Sequence, residues 1–132
     1  LGDIVIAMGA CTNSNYAHQY ELPGTFAPIA DFDLVNKAVD VAKQLNINYK
    51  VGNILSSDTF YEDASSAKKW QKMGVLAVEM EASALYMNAA RAGKKALTIC
   101  TVSDCIFTGE ATTSEQRRTA FTNMLEVALR II

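Results

Sequence analysis

The chain alternates short, β-branched apolar runs with longer segments in which apolar residues have helical spacing, and this order restricts its fold more than any other feature. Four runs have the length and composition of buried strands: DIVIAMGA, YKVGNILSS, VLAVEM and KALTICTVSD. A segment rich in helix formers separates or follows most of these runs. Because strands that alternate with helices are typical of α/β domains, we predict an α/β fold with a mostly parallel or mixed central sheet flanked by helices.

Local signals predict where the first helix begins and where the second and third helices end. Asp31 or Asp33 can cap the first helix, and Gly74 follows a short second helix at the position where a left-handed residue commonly ends a helix. Gly93 has the same position after the third helix. The first helix has apolar residues repeating at i, i+3 and i+4, namely Val35, Ala38, Val39, Ala42 and Leu45.

The C-terminal segment predicts a final helix. Thr112 and Glu115 form the T-x-x-E pattern of a capping box at its start. The apolar face of this helix is expected to consist of Phe121, Met124, Leu125, Ala128 and Leu129. The sequence has no internal repeats and no low-complexity linkers, so residues 1–132 are predicted to form a single domain. Because Leu1-Gly2-Asp3 leads at once into a core strand, we expect an N-terminal part of the protein to precede Leu1.

Composition excludes several classes of protein. With a formal net charge of −2, the chain lacks the basic footprint of a nucleic-acid-binding protein. Its apolar runs are too short to span a bilayer and no signal peptide is visible, so we expect no membrane partner. The three cysteines, without CxxC spacing, are most simply explained as reduced thiols, and on that ground we expect a cytoplasmic protein. The single histidine, His18, has no plausible metal partners in its polar loop, and no metal site is predicted.

Unusual side chains follow three of the four predicted strands. The second strand leads into SSDTFY, the third into VEMEAS and the fourth into TVSD. In open α/β sheets, ligands bind beyond the carboxyl ends of the strands. We therefore predict that these three stretches together form a ligand site.

Glu79 and Glu81 interrupt an apolar segment, and each has two possible roles. Both could be acidic residues in the first turn of a helix, where the helix dipole favours negative charge; this interpretation is the stronger one for Glu79. Alternatively, Glu81 could accept hydrogen bonds from two hydroxyl groups, as the vicinal diol of a ribose would require. Met80 between them offers a flexible thioether surface that could lie against a sugar.

The residues around Asp104 also have two interpretations. Ser103-Asp104 could simply end a strand, or Asp104 could be a general acid that protonates a leaving group. Arg117, near the start of the last helix, could reach Asp104 or could be a solvated surface residue. Phe60 and Tyr61 could belong to the core or could stack on a base.

Taken together, the blocks GDIVIAMGACT, ADFDLVNKAV, VGNILSSDTFY, VEMEASALY, ALTICTVSD and TTSEQRRTAFTNMLEVAL resemble the bacterial, hexameric type of purine nucleoside phosphorylase. The resemblance extends from about Gly2 to the C-terminus, and the blocks occur in the order found in that family. It implies a phosphorylase/hydrolase-like fold and a site that binds a nucleoside.

The resemblance also implies roles for individual residues of this chain. Phe60 would pack on the purine ring, and Val78 and Met80 would line the base and the underside of the sugar. Glu81 would bind the ribose hydroxyls, with Glu79 at the edge of the pocket. Asp104 would protonate purine N7, with Ser103 beside it and Arg117 assisting it.

The implied activity is reversible phosphorolysis of purine ribonucleosides and deoxyribonucleosides by a cytosolic homo-oligomer, a homohexamer by resemblance. Inorganic phosphate would be the co-substrate, and no cofactor is expected. In the family, phosphate is bound by a glycine-rich turn and arginines upstream of the matched region, and by a histidine of a neighbouring subunit. The loop after the acid departs from familiar members at Cys105, Phe107 and Gly109, where histidine, arginine and histidine are usual.

Two alternative functions remain open from the sequence. A nucleosidase that cleaves methylthioadenosine or S-adenosylhomocysteine with water also pairs a Met-Glu motif with a Ser-Asp acid. A non-catalytic nucleoside-binding module would keep the fold without turnover. A uridine phosphorylase fits less well, because a pyrimidine has no N7 for Asp104 to protonate.

Overall fold

The computed structural model describes residues 1–60 and 64–132. Its elements follow one another in the order strand, 3₁₀ helix, helix, strand, helix, strand, helix, strand, helix. Their bounds are β1 (Ile4–Thr12), a 3₁₀ helix (Tyr16–Tyr20), α1 (Phe32–Gln44), β2 (Tyr49–Ser56), α2 (Ala64–Lys72), β3 (Val78–Glu79), α3 (Ala82–Ala92), β4 (Thr98–Thr101) and α4 (Ser114–Arg130). This alternation confirms the predicted α/β class.

The four strands form one mixed sheet in the order β3-β2-β1-β4. β1 is parallel to β2, and β2 is parallel to β3. β4 is antiparallel to β1, with Ile4 opposite Thr101 and Ala7 opposite Thr98. The carboxyl ends of β1, β2 and β3 therefore lie at one edge of the sheet, whereas β4 ends beside the start of β1.

Helices cover β1 on both faces, which explains why its sequence is apolar without alternation. Ile4 and Ile6 pack against α1 and α4, in a cluster that includes Ala38 and Val127. Successive residues of a strand point to opposite faces, so Val5 and Ala7 pack against the other layer, where α3 contributes Ala82 and Tyr86. β1 is thus the centre of the core.

The predicted start of the first helix and the predicted ends of the second and third helices are confirmed. Asp31 is the N-cap of α1, and its carboxylate accepts a hydrogen bond from the Leu34 N–H at 3.1 Å. Gly74 follows the C-terminal end of α2 with a φ of +79°, and Gly93 caps α3 with a φ of +63°. Both angles lie in the left-handed region that glycine adopts without steric cost.

One prediction for α4 is wrong and a second is only partly right. The capping box is formed by Thr113 and Gln116, one residue later than predicted. The reason is that Thr112 is buried and its N–H is already used in a hydrogen bond to the Ser103 carbonyl at 2.8 Å. The helix therefore begins only after the chain leaves this pairing.

The buried face of α4 matches the predicted one only in part, because it includes Met124 but is centred on two residues outside the predicted set. Val127 and Ile131 are buried and Met124 packs against their cluster. Phe121, Leu125 and Leu129 lie on a second apolar stripe of the same helix, and they are exposed. Both stripes have helical spacing, but only one of them can face α1 and β4.

The third and fourth strands are shorter than the sequence predicts. β3 has two residues, Val78 and Glu79, instead of the six predicted for VLAVEM. β4 has four residues, although the apolar run is longer. No helix among the described residues is long and apolar enough to cross a membrane.

Candidate active site

The carboxyl ends of β1 and β2 are joined by polar side chains. The Thr12 hydroxyl donates to the Ser56 carbonyl at 2.8 Å. The Asn13 amide donates to the Ser57 hydroxyl at 3.1 Å, and its oxygen accepts from the Asp58 N–H at 3.0 Å. Both serines are buried. These contacts fix the two loops that leave the sheet at this edge.

Glu79, at the end of β3, caps the start of α3. One of its carboxylate oxygens accepts hydrogen bonds from the N–H groups of Glu81 and Ala82 at 2.8 and 2.7 Å. The other oxygen accepts from the hydroxyl of Ser56. The start of the helix therefore favours the charge of Glu79, as predicted, although Glu79 lies in β3, two residues before the N-cap, and not in the first turn. A contact of Glu79 with substrate at the pocket edge stays a prediction.

Glu81 differs from its neighbour because its carboxylate is not used within the described part of the chain. It occupies the N-cap position of α3, yet its side chain makes no capping hydrogen bond. It is exposed, and no described residue forms a hydrogen bond or an ion pair with its carboxylate. Since α3 begins at Ala82, Glu79 and Glu81 do not share the face of one continuous strand. An acceptor-only group is thus presented to solvent at this edge of the sheet.

Three apolar side chains predicted to line the site are partly or largely exposed. Met80 and Val78 are 40% and 38% exposed, and Phe60 is 75% exposed. Val78 lies in β3, and Met80 and Phe60 lie in the segments that leave β3 and β2 at the same edge. Phe60 is therefore not a core residue, whereas Tyr61, the other aromatic in this stretch, lies outside the described residues.

The thiol of Cys100, in β4, lies close enough to Glu79 and Glu81 for their charges to affect its pKa. Burial raises the pKa of Cys100, and the nearby charges of Glu79 and Glu81 raise it further, to about 11. Cys100 and Val102 also pack against the cluster that contains Ala82 of α3. Part of β4 therefore shares a face of the sheet with the start of α3.

Asp104 follows β4, and its position corrects one step of the sequence argument. Because β4 is antiparallel, the residue after it, Val102, donates its N–H to the Asp3 carbonyl at the start of β1. Ligands gather at the carboxyl ends of parallel strands, and this rule predicts that the stretches after β2 and β3 lie together. It does not predict that TVSD lies with them, because β4 runs in the opposite direction.

The local surroundings of Asp104 are polar and open. Its carboxylate is exposed and accepts a hydrogen bond from the Ser103 hydroxyl at 2.5 Å. Arg117 lies in the first turns of α4 and is half-buried. Among the described residues, Asp104 makes no ion pair with Arg117 and no hydrogen bond with Glu81. The roles of Ser103, Asp104 and Arg117 in catalysis stay predictions.

The loop after Asp104 explains one of the departures from familiar sequences. The Gly109 N–H donates to the Cys105 carbonyl at 2.9 Å, and Gly109 has a φ of +71°. Glycine suits this left-handed turn better than the usual histidine. Hydrogen bonds from Thr108 and from the backbone of Phe107 lower the pKa of the Cys105 thiol.

Sequence reasoning missed the function of Ser56. Its hydroxyl connects β2 to the start of α3, because it donates to Glu79 and accepts from the Ser83 N–H at 2.8 Å. The available signal was a small hydroxyl residue directly after the apolar pair Ile54-Leu55 at a strand end. Within residues 1–60 and 64–132, no group of three His, Cys, Asp or Glu side chains could hold a metal ion.

A comparison with protein families gives a full-length match. The family model described as the phosphorylase superfamily matches residues 1–132. The chain belongs to the phosphorylase superfamily. This membership agrees with the resemblance found in the sequence and with the mixed sheet flanked by helices.

Individual members of the superfamily are more than half identical to the chain. A purine nucleoside phosphorylase DeoD-type from Clostridium novyi is 54% identical over 130 residues, which are 98% of this chain and 56% of that protein. Proteins of the same name from Xenorhabdus nematophila and Bacillus cereus are 53% and 52% identical. They align with 98% and 96% of this chain and with 55% and 54% of their own lengths. The chain thus spans about half the length of these relatives.

Proposed function

We propose that the protein containing this chain catalyses reversible phosphorolysis of purine ribonucleosides and deoxyribonucleosides, giving the free base and (deoxy)ribose 1-phosphate. Membership of the phosphorylase superfamily and the shared name of relatives that are 52–54% identical support this activity. The observation that carries the proposal is the exposed Glu81 carboxylate, which no described residue engages, beside a second carboxylate that the helix cap already occupies.

In the proposed site, Glu81 accepts hydrogen bonds from the ribose hydroxyls. Met80 and Val78 contact the sugar and base, and Phe60 packs on the purine. All four are exposed enough to be reached by a ligand, and they lie in β3 or in the segments that follow β2 and β3, at the edge where Ser56 and Glu79 fix the backbone. Hydroxyl groups of the sugar would replace water on a carboxylate that is already solvated, so binding would leave no buried polar group unpaired.

Asp104 is the proposed general acid. Cleavage of the N-glycosidic bond builds positive charge on the sugar and negative charge on the departing purine, and a proton on N7 neutralises that negative charge. The Ser103 hydroxyl, 2.5 Å from an Asp104 oxygen, orients the carboxyl group. Arg117 would assist Asp104 after a change of side-chain position, since the two form no ion pair in the present arrangement.

Inorganic phosphate is the proposed nucleophile, and the proposal requires no other cofactor. We assign phosphate binding to residues outside this chain. A cytoplasmic homo-oligomer, a hexamer by resemblance, is part of the same proposal.

The test uses the protein made from the complete open reading frame. Inosine and adenosine are incubated with and without phosphate, and the base and sugar products are quantified. Base formation that depends on phosphate, together with sugar 1-phosphate, is expected. Base and free ribose formed without phosphate would instead identify a nucleosidase, and nucleoside binding without turnover would identify a binding module.

Asp104→Asn tests the acid. We expect kcat to fall by about 10²–10⁴-fold, because a positioned general acid typically contributes that much, while nucleoside affinity changes little. Asp40→Asn, at an exposed position on α1, is the matched control and should leave kcat unchanged. A wild-type kcat in Asp104→Asn would remove Asp104 from this role.

A further inference from the structure

The start of α3 is capped by side chains from outside the helix. The N–H groups of Glu81, Ala82 and Ser83 are the first three at this end. Glu79 accepts from Glu81 and Ala82 at 2.8 and 2.7 Å, and the Ser56 hydroxyl accepts from Ser83 at 2.8 Å. These bonds satisfy donors that have no partner within a helix.

Ser56 also holds the cap itself. Its hydroxyl donates to the second oxygen of Glu79, so one hydroxyl bridges the carboxylate and the helix. Ser56 is 2% exposed and lies opposite Glu79 in the pairing of β2 with β3. The Ser57 N–H donates to the Glu79 carbonyl at 2.8 Å, which fixes the backbone of the same residue. Glu79 is thereby held from its backbone and from both carboxylate oxygens.

This cap has a consequence for Glu81. A residue at the N-cap position ordinarily turns its side chain back to accept from the first helical N–H groups. Here the Ser56 hydroxyl already occupies the Ser83 N–H and Glu79 occupies the two N–H groups before it, and the Glu81 side chain makes no capping bond. The N–H groups and the hydroxyl also surround the charge of Glu79, which reduces its repulsion of the neighbouring Glu81 carboxylate.

We propose that Ser56 is a positioning residue for sugar recognition: through Glu79 it fixes the start of α3 and keeps the Glu81 carboxylate available to ribose hydroxyls. This inference rests on the proposed function, because it needs Glu81 to bind the sugar. It assigns to Ser56 no contact with substrate.

The experiment is a double-mutant cycle in the complete protein. The measured quantity is sugar selectivity, defined as kcat/KM for inosine divided by kcat/KM for 2′,3′-dideoxyinosine. Ser56→Ala should lower this selectivity on the order of tenfold, the effect expected when a group loses one charge-assisted hydrogen bond that orients it. Glu81→Ala should lower it at least as much. In the Glu81→Ala background, Ser56→Ala should have no further effect on selectivity, because both substitutions remove the same interaction.

The control is Tyr86→Phe, which removes two buried hydrogen bonds of a hydroxyl on the same helix, to Ala7 and Thr98 and not to Ser56, Glu79 or Glu81. It should lower stability and leave selectivity unchanged, as a purely structural change would. If Ser56→Ala does not fold, Ser56→Cys keeps the volume but provides only a weak donor, and it enters the same cycle.

The outcomes separate this inference from the proposed function. A wild-type protein without phosphorolysis, or Glu81→Ala with unchanged selectivity, overturns the proposed function or its sugar contact, and the inference with it. If Glu81→Ala loses selectivity but the Ser56 variant keeps it, only the inference fails. The inference would also be refuted if the losses of selectivity caused by Ser56→Ala and Glu81→Ala multiplied in the double variant, because the two residues would then act independently.

Discussion

The substitution Tyr86→Phe tests how much the hydrogen bonds between α3 and the sheet contribute to stability. The ring of Tyr86 is 1% exposed. Its hydroxyl donates to the Ala7 carbonyl at 2.5 Å and accepts from the Thr98 N–H at 3.0 Å. Ala7 and Thr98 are the last pair of the β1–β4 ladder, so this hydroxyl closes that end of the pairing. Phenylalanine would keep the packing of the ring and remove both hydrogen bonds.

The cost follows from the two lost bonds. Each net hydrogen bond contributes about 1 kcal/mol, and a buried N–H left without a partner adds to the loss. We therefore expect the free energy of unfolding to fall by about 2 kcal/mol. With a denaturant slope of about 2–3 kcal/mol per M, the urea midpoint would move down by about 0.7–1 M.

The pH dependence gives the prediction a second, independent test. Burial raises the pKa of Tyr86 above the ordinary tyrosine value. Above about pH 10, the unfolded chain loses this proton while the folded chain keeps it, so the wild type loses stability as pH rises. The phenylalanine variant lacks this term. The difference between the two proteins should therefore shrink between about pH 9 and 11.

Urea unfolding at a series of pH values, followed by circular dichroism, measures both effects. Tyr49→Phe is the matched control. Tyr49 is half-buried, and its hydroxyl forms no hydrogen bond with any of the described residues. It should change stability by less than about 0.5 kcal/mol. Equal stability of wild type and Tyr86→Phe at pH 8, or a difference that widens above pH 10, would refute the reasoning.

Three further predictions concern the C-terminal part of the chain. Thr113→Ala removes the capping hydroxyl that accepts from the Gln116 N–H and should cost about 1 kcal/mol in urea unfolding, whereas Thr113→Ser should be near neutral; equal costs would argue against the cap. Gly109→Ala places a side chain on left-handed backbone and should cost about 1–2 kcal/mol, and a neutral result would show that the loop rearranges. Because the pKa of Cys105 is lowered and that of Cys100 is raised to about 11, iodoacetamide at pH 8 should modify Cys105 at least about tenfold faster in peptide mass mapping; faster modification of Cys100 would contradict these shifts.

Much of the fold could be predicted because its signals are local. The cap at Asp31 and the end of α3 at Gly93 depend on residues within one helical turn, and both could be predicted from the sequence. The sequence also indicated that the start of a helix would favour the charge of Glu79, but Glu79 lies in β3, two residues before the N-cap, and not in the first turn as predicted.

The predictions that failed depend on distant neighbours. Thr112 and Thr113 both fit a capping box, and the choice between them is made by the pairing of Thr112 with Ser103. The two apolar stripes of α4 are equally helical, and contact with α1 and β4 decides which of them is buried. Likewise, nothing within the residues of β4 specifies that the strand is antiparallel to β1, since strand direction is set by the partner.

The candidate site likewise contains residues that the sequence could identify and one that it could not. The residue types at the strand ends, Glu81, Ser103 and Asp104 among them, could be singled out from the sequence, because acidic groups after apolar runs need a partner or a function. The part played by Ser56 could not, because its hydroxyl acts on Glu79 and Ser83, which are 23 and 27 residues away in the chain.

The sequence by itself determined the α/β class, the starts and ends of most helices, and the chemical groups available for a site. Only the tertiary structure decided which carboxylate is occupied by the cap of α3 and which is presented to solvent. The physical reason is that the N–H groups at the start of a helix donate to whichever acceptor the fold brings near. Here the acceptors are Glu79 of β3 and Ser56 of β2, and not the side chain of the N-cap residue itself.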